Sequence, residues 1–337
     1  MQYKVLFKRC LLAIVVMFVV TSLQAQREMK TINDNWEFRK SIDESWESVN
    51  LPHTFNIDAY QQRNYYQGKG FYRRTLVLPE IVAERRYYMK IDAASKAANI
   101  RVNGKEVGSH VGGYTACIVD ITEYIRKENL IEITVDNGRK DITPISADFT
   151  FWGGIYRDVW LISTPKQHFN MSNMGSDGIF ISTPVVNEKR GVLKVKCEVT
   201  NDSHESSILE VRSAIYSPQG KLLQTIKQKQ KLKSGETYIF ENTSGAIESP
   251  DLWSPETPSL YLVKTTLVDP KSGKLLDEKN HKVGFRWFTF DGSKGFFLNG
   301  KSYKLRGLNR HQDQAPAGVA FCLLYTSDAA DDLLCVD

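Results

Sequence analysis

Four stretches of the chain carry residue types that could do chemistry. "LRGLNRHQDQAPAGVA", residues 305–320, crowds Asn309, Arg310 and His311 behind the apolar pair Leu305 and Leu308. Polar groups at the C-terminal end of a strand are how a (β/α) barrel builds its site; without a barrel the same residues make an ordinary polar turn. "SADFTFWGGIYRDVW", residues 146–160, sets Asp148 beside Phe149, Phe151 and Trp152, ahead of Gly153-Gly154. A carboxylate among rings can hold sugar hydroxyls, with acceptor oxygens at the edge and a stacking face below. A turn aspartate over a core cluster of aromatics is an equal alternative. The paired glycines let the backbone turn sharply or come close to something. Arg157 and Asp158 read as pairing across a sheet rather than as chemistry.

"VGSHVGGYTACIVDIT", residues 107–122, offers His110 and Tyr114 as ligand contacts, against a Gly-Gly hairpin with a buried tyrosine. In "WESVNLPHTFN", residues 46–56, His53 follows Pro52 in an extended or turning segment. A turn histidine bonded to backbone is favoured there over a ligand-facing one. None of these stretches yields a mechanism unaided: there is no G-x-S-x-G, no phosphate loop and no pair of carboxylates at a readable spacing. No CxxC or HxxxH spacing suggests zinc, and no metal ligand set is assigned.

The elements that must position these residues read almost wholly as short strands. "FYRRTLVLP", "RYYMKIDAA", "ANIRVNG", "LIEITVDNG" and "IYRDVWLIST" alternate or run apolar between Gly, Pro and Asn. "VNGKEVG" places Asn-Gly between two apolar runs, a strong hairpin signal. Only "ITEYIRKEN" looks helical, for about one turn, so a parallel α/β sheet is not expected here. After "STPKQHFNMSN" come further strands at near-regular spacing, joined by Ser-Pro-Gln-Gly and Pro-Lys-Ser-Gly turns, as in a β-sandwich of about 100 residues. It lacks the Cys…Trp…Cys spacing of antibody domains. "VGFRWFTFDGSKGFFLNGKSYKLRG" then reads as a linker strand, a hairpin at Asn299-Gly300 and a strand that opens something new.

Composition narrows the function. The 337 residues are 42% hydrophobic and 25% charged, as in an ordinary globular protein. An 11% aromatic content suits β-structure and carbohydrate contact. A net charge of +5 without a basic stripe argues against nucleic acid as a partner. Lys4, Lys8 and Arg9 precede the apolar run Cys10–Val20, and Ala25 follows at a cleavage-like position. Eleven apolar residues fall short of the ~20 that span a bilayer. Residues 1–25 are therefore expected to be a signal peptide, which exports the chain to the periplasm or outside and leaves no membrane segment after cleavage. Of the five cysteines, only Cys117 and Cys197 lie away from the signal and the tail. Two buried free thiols are expected.

Six stretches in series carry a resemblance: "NDNWEF", "WESVNLPHTFN", "GKGFYRRTLVLP", "VNGKEVGSHVGGYTACIVDIT", "DFTFWGGIYRDVWLI" and "FFLNGKSYKLRGLNRHQD". In this order, over roughly Lys30 to Ala320, the chain resembles family 2 glycoside hydrolases, the β-galactosidase, β-glucuronidase and β-mannosidase group. The resemblance implies a mainly β fold: a jelly-roll sugar-binding domain over 26–166, an Ig-like β-sandwich over 167–286, and the first strand of a catalytic (β/α)₈ barrel over 287–320. It implies hydrolysis of β-glycosides with retention by two carboxylates about 5–5.5 Å apart. Both would be glutamates on later barrel strands, so no catalytic residue is assigned in this chain. Asp148 matches the aspartate that reaches from the jelly roll into the sugar pocket. His311 matches the barrel histidine that contacts sugar hydroxyls, with Asn309 and Arg310 shaping the strand end beside it.

"NRHQD" and "FWGGIYRDV" look most like exported bacterial β-galactosidase relatives, with β-glucuronidase as the runner-up. A stand-alone carbohydrate-binding protein is a further alternative, against which the barrel-opening stretch argues. The implied partner is an oligosaccharide substrate. No cofactor is called for; a Mg, Na or Ca ion and homo-oligomerisation are left open for a full-length form. The tail "FCLLYTSDAADDLLCVD", residues 321–337, has four Asp and no Lys or Arg, and is expected to be a truncated or wrongly extended reading frame. A lone first barrel strand has no partners at its edges, so residues 301–337 are expected to order poorly.

Overall fold

The computed structural model describes residues 26–308 and 313–320. The expected signal peptide, Asn309, Arg310, His311 and the 321–337 tail lie outside the described residues. The chain divides into two compact units, one holding residues 29–163 with 313–320, the other 26–28 with 164–308.

The first unit is built from β1 (Glu28–Thr31), β2 (Trp36–Arg39), β3 (Glu47–Val49), β4 (Lys69–Val77), β5 (Arg85–Ile91), β6 (Ala97–Val102), β7 (Lys105–Val111), β8 (Cys117–Asp120), β9 (Glu128–Asp136) and β10 (Val159–Pro165). Six strands form one sheet in the order β3-β2-β4-β9-β6-β7, and four form another, β1-β10-β5-β8. Strand β9 shows why: Asn129, Ile131, Ile133 and Val135 point inward while Leu130, Glu132 and Thr134 point out, the period of two that half-buries a strand. Ile131, Ile133 and Val135 join Trp36, Phe38, Tyr72 and Ile100 of their own sheet and Met89, Ile91, Val119 and Val159 of the other in one core. The result is a two-sheet sandwich, the jelly roll that the family resemblance implies.

Register gathers the chemistry at one end of this sandwich. Ala97 lies opposite both Val111 and Asp136, and Lys69 opposite Asp136. The starts of β4 and β6 and the ends of β7 and β9 therefore meet, and connections 92–96, 112–116 and 137–158 all leave from there. The hairpin at Asn103-Gly104 has φ of 52° and 77°. These left-handed values give the turn whose twist matches the flanking strands. "ITEYIRKEN" makes one turn closed by Ile125 N–H on Ile121 O, and no helix. The short 3₁₀ helix Ile57–Tyr60 is the one helical element among the described residues.

The second unit is an Ig-like sandwich. Its strands are β11 (Gln167–Phe169), β12 (Ile179–Val186), β13 (Arg190–Asn201), β14 (Ser207–Tyr216), β15 (Leu222–Leu232), β16 (Glu236–Thr243), β17 (Ile247–Glu248), β18 (Tyr261–Val268) and β19 (Leu275–Val283). One sheet is ordered β15-β14-β18-β19; in the other β13 pairs with β11, β12, β16 and β17. Phe169, Val195, Val199, Val211, Phe240, Val263 and Phe285 fill the core between them. Cys197 lies in this core and Cys117 in the other unit, both buried and free.

A three-stranded meander follows, β20 (Phe288–Asp291), β21 (Gly295–Leu298) and β22 (Lys301–Ser302), turning at Asn299-Gly300 as expected. The strand expected to continue through Tyr303–Leu308 and open a barrel is not formed: β22 ends at Ser302 and 303–308 are irregular. A parallel strand with no neighbour on either side leaves its backbone groups without ladder partners.

Candidate functional site

The long connection 137–158 is held at its centre by buried amides. Asn137 donates from Nδ2 to Phe151 O at 2.8 Å and accepts Gly68 N–H at 2.9 Å. Asn56 donates to the same carbonyl at 3.0 Å and accepts Gly153 N–H at 2.7 Å. Phe151 N–H donates to the Tyr65 hydroxyl at 2.8 Å. Both asparagines are fully buried, so each such bond also removes an otherwise costly orphan. Lys96 secures the outer part of the connection. Its ammonium donates to Pro144 O at 2.8 Å and lies 4.4 Å from the Phe151 ring, and burial lowers its pKa.

The two glycines are required where they stand. Gly154 has φ +131°, and a Cβ there would lie 2.2 Å from His53 O; at Gly153 it would lie 2.4 Å from the Phe55 ring. Residues 53–55 run against 153–155, with His53 N–H on Ile155 O and Phe55 N–H on Gly153 O.

Asp148 stands exposed on this connection, and its carboxylate has no hydrogen bond or ion pair among the described residues. A carboxylate presented from a fixed loop and not consumed by the fold can accept hydrogen bonds from ligand hydroxyls. The rings beside it divide. Phe151 and Trp152 are buried and belong to the support, whereas Phe149 is half-buried and meets Phe151 edge-on at 5.4 Å.

Residues 313–320, expected to order poorly, fold onto this same unit. Trp152 Nε1 donates to Asp313 Oδ2 at 3.2 Å, and Tyr60 packs on the Trp152 ring at 5.1 Å. Gly318 sits at φ +60°, where a Cβ would come within 2.8 Å of Trp152. Ala320 packs with Ala93 and Tyr156. These contacts bury apolar surface that the free edge of a strand would not, which is why the segment settles as a turn. It directly follows Asn309, Arg310 and His311, which lie outside the described residues, so only Asp148 of the four predicted site residues is placed.

His53 is a structural residue. Its Nδ1 meets the Tyr72 hydroxyl at 2.8 Å, a side chain rather than the expected backbone group, and burial pushes its pKa down to about 4. Asp158, just before β10, pairs across the sheet as expected, accepting from Asn33 Nδ2 beside β1 at 2.8 Å, whereas Arg157 lies over the Tyr156 ring. His110 Nε2 meets Thr115 Oγ1 at 3.0 Å, and Tyr114 is exposed, not buried. Asn56, Tyr65, Lys96 and Asn137 were not legible as site residues, because each acts through a partner distant in the sequence. Among the described residues no cluster of three or more His, Cys, Asp or Glu could hold a metal.

Two β-sandwiches in series, the first with three connections gathered at one end and an exposed, unpaired Asp148 on one of them, define a modular β-protein. The family model described as "Glycosyl hydrolases family 2, sugar binding domain" matches residues 13–165, and "Glycosyl hydrolases family 2" matches 177–286. The chain belongs to glycoside hydrolase family 2, as its N-terminal portion. A crystal structure of Bacteroides uniformis beta-glucuronidase is 51% identical with a TM-score of 0.87, covering 90% of this chain and 38% of that one. A putative beta-glucuronidase of Formosa agariphila is 35% identical over 309 residues, 87% of this chain and 35% of the relative. Beta-galactosidase BoGH2A of Bacteroides ovatus is 27% identical over 321 residues, 89% of this chain and 36% of the relative. The chain thus spans between a third and two fifths of the length of these three relatives.

Proposed function

We propose that this chain is the non-catalytic, sugar-facing portion of a retaining β-glycosidase whose substrate is a terminal β-glucuronide. The observation that carries the substrate is the 51% identity, over 90% of the chain, to a β-glucuronidase. A terminal β-galactoside is the second reading. It is favoured by the "NRHQD" and "FWGGIYRDV" stretches and by the Bacteroides ovatus galactosidase relative.

In this reading Asp148 accepts hydrogen bonds from hydroxyls of the terminal sugar, and the amide clamp on Phe151 fixes the loop that presents it. Pre-set loops bind without the entropy cost of ordering them. The family resemblance gives His311 a contact with sugar hydroxyls as well, with Asn309 and Arg310 beside it in the sequence. Retention needs an acid/base and a nucleophile held about 5–5.5 Å apart. The family resemblance assigns both to glutamates on barrel strands outside this chain, so the 337-residue chain alone has no hydrolytic activity. Residues 1–25 direct export.

The test is to assay the purified chain and the enzyme encoded by the continuous gene with nitrophenyl β-glucuronide and nitrophenyl β-galactoside. The reading expects no turnover by the chain and faster turnover of the glucuronide by the enzyme. Faster galactoside turnover selects the second reading. Turnover of neither by the enzyme overturns both, and turnover by the chain overturns its non-catalytic role.

A further inference from the structure

The turn at residues 112–115 joins β7 of one jelly-roll sheet to β8 of the other, at the end of the sandwich that bears Asp148. Residues 95 and 96 bridge the two loops. Gly112 N–H donates to Lys96 O at 2.9 Å, and the Lys96 ammonium holds Pro144 O on the far side. Gly113 lies against Ser95, whose N–H donates to Gly154 O at 3.1 Å.

The turn is rigidly made. The Tyr156 hydroxyl donates to Gly113 O, and Thr115 Oγ1 is paired with His110. Gly112 sits at φ +149°, where a Cβ would come within 2.7 Å of Thr115 Oγ1. On this fixed backbone the Tyr114 side chain is 69% exposed.

A ring held out from a rigid turn contributes little to the core. The neighbouring rings at this end are already engaged. Phe151 and Trp152 are buried; Tyr60, 42% exposed, packs on Trp152; Tyr65 accepts the Phe151 N–H. A pocket that takes a terminal sugar leaves the remainder of the glycan outside, against the rim. On this reading Tyr114, 69% exposed on the connection bridged to 137–158 by residues 95 and 96, lines that rim.

We propose that Tyr114 is the stacking platform for the second pyranose ring of a β-linked saccharide, the one following the terminal residue. This rests on the sugar-binding reading above and adds a second subsite to it. A flat ring reads the C–H face of a pyranose without reading its hydroxyl pattern. It therefore suits the part of a substrate whose identity varies, whereas Asp148 reads hydroxyls. Tyrosine presents this area with only two side-chain torsions to fix, so little entropy is lost on contact.

The experiment is ligand-observed saturation-transfer NMR on the full 337-residue chain. The probes are methyl β-glucuronide and a β-glucuronosyl-glucose disaccharide, with methyl β-galactoside and lactose as the galactose pair. Tyr114→Ala is expected to weaken the disaccharide about two- to tenfold and to leave the methyl glycoside unchanged. Tyr114→Phe keeps disaccharide affinity, because the ring and not the hydroxyl does the stacking. Asp148→Asn weakens both probes. Disaccharide binding that Tyr114→Ala does not alter overturns the inference while the sugar-pocket reading stands. Equal losses in Tyr114→Phe and Tyr114→Ala overturn stacking as the cause. No binding of any probe by the unsubstituted chain overturns the pocket itself.

Discussion

The loop end of the jelly roll and the interior of the Ig-like unit both bury polar side chains, and they spend them differently. In the Ig-like unit Asp277, fully buried on β19, takes Arg27 Nε at 3.2 Å and Nη2 at 2.7 Å, the Phe169 N–H at 3.0 Å and the Glu278 N–H at 2.9 Å. Glu210, 2% exposed, is paired with Arg212 and with Lys229 at 3.2 Å. These carboxylates are consumed within the scaffold. In the jelly roll, Asn56, Asn137, Tyr65 and Lys96 are spent on holding one loop, and the carboxylate that loop carries is left over. The contrast separates scaffold polarity from site polarity: a buried charge with every lone pair answered stabilises a fold, while a braced loop with an unanswered carboxylate can serve a ligand.

The sharpest way to break this comparison is Asp277→Ala. It strands the Arg27 guanidinium, 4% exposed, without its partner, and is expected to cost about 3–5 kcal/mol. Urea unfolding of the Ig-like unit should show the loss, while sugar binding at the jelly roll stays intact. Gly154→Ala attacks the other region. With φ +131° and a Cβ 2.2 Å from His53 O, backbone strain costs about 1–3 kcal/mol before the clash is counted. Here both thermal stability and saccharide binding should fall, because the turn behind Asp148 must move.

Asn137→Ala removes one donor to Phe151 O and leaves the Gly68 N–H unanswered, an expected cost of about 1–3 kcal/mol. Denaturation should report that loss, and saccharide titration a larger loss of affinity than stability alone explains. A further effect is expected from pH. His53 titrates near 4 when folded, below its ordinary 6.5, so the unfolded chain binds more protons between those values. Neutral His53 contributes stability above about pH 6.5 that disappears as pH falls towards 4. His53→Gln should flatten this part of a stability–pH profile. The least effect on stability, within about 0.5 kcal/mol, belongs to exposed Asp148→Asn. Yet this variant should lose methyl glycoside binding, and a variant that binds normally would remove Asp148 from the site.

Asn-Gly pairs show how far local sequence reaches. Asn103-Gly104 and Asn299-Gly300 both adopt the left-handed turn that their letters announce, with Asn φ of 52° and 51°. Asn137-Gly138 has the same letters after an equally regular strand. There Asn137 is drawn to Phe151 and Gly68 instead, and Gly138 lies close to Gly68. A dipeptide carries its turn preference wherever it stands, but the partner that overrides it is supplied by residues far along the chain. The same limit applies to the aromatics near Asp148. Phe149, Phe151 and Trp152 look alike as letters, and only packing sends the last two inward and leaves the first half-buried.

The sequence by itself determined the strand periodicity, the two sandwiches, the glycine turn at 153–154 and the series of motifs that marks the family, because these depend on side-chain alternation and on local backbone freedom. It also singled out Asp148. Tertiary structure alone decided that four distant polar residues grip the loop behind Asp148, that residues 313–320 fold back onto Trp152, and that Tyr114 faces outward. Those outcomes depend on hydrogen bonds and contacts between segments many residues apart, and such pairings leave no periodic trace in a single sequence.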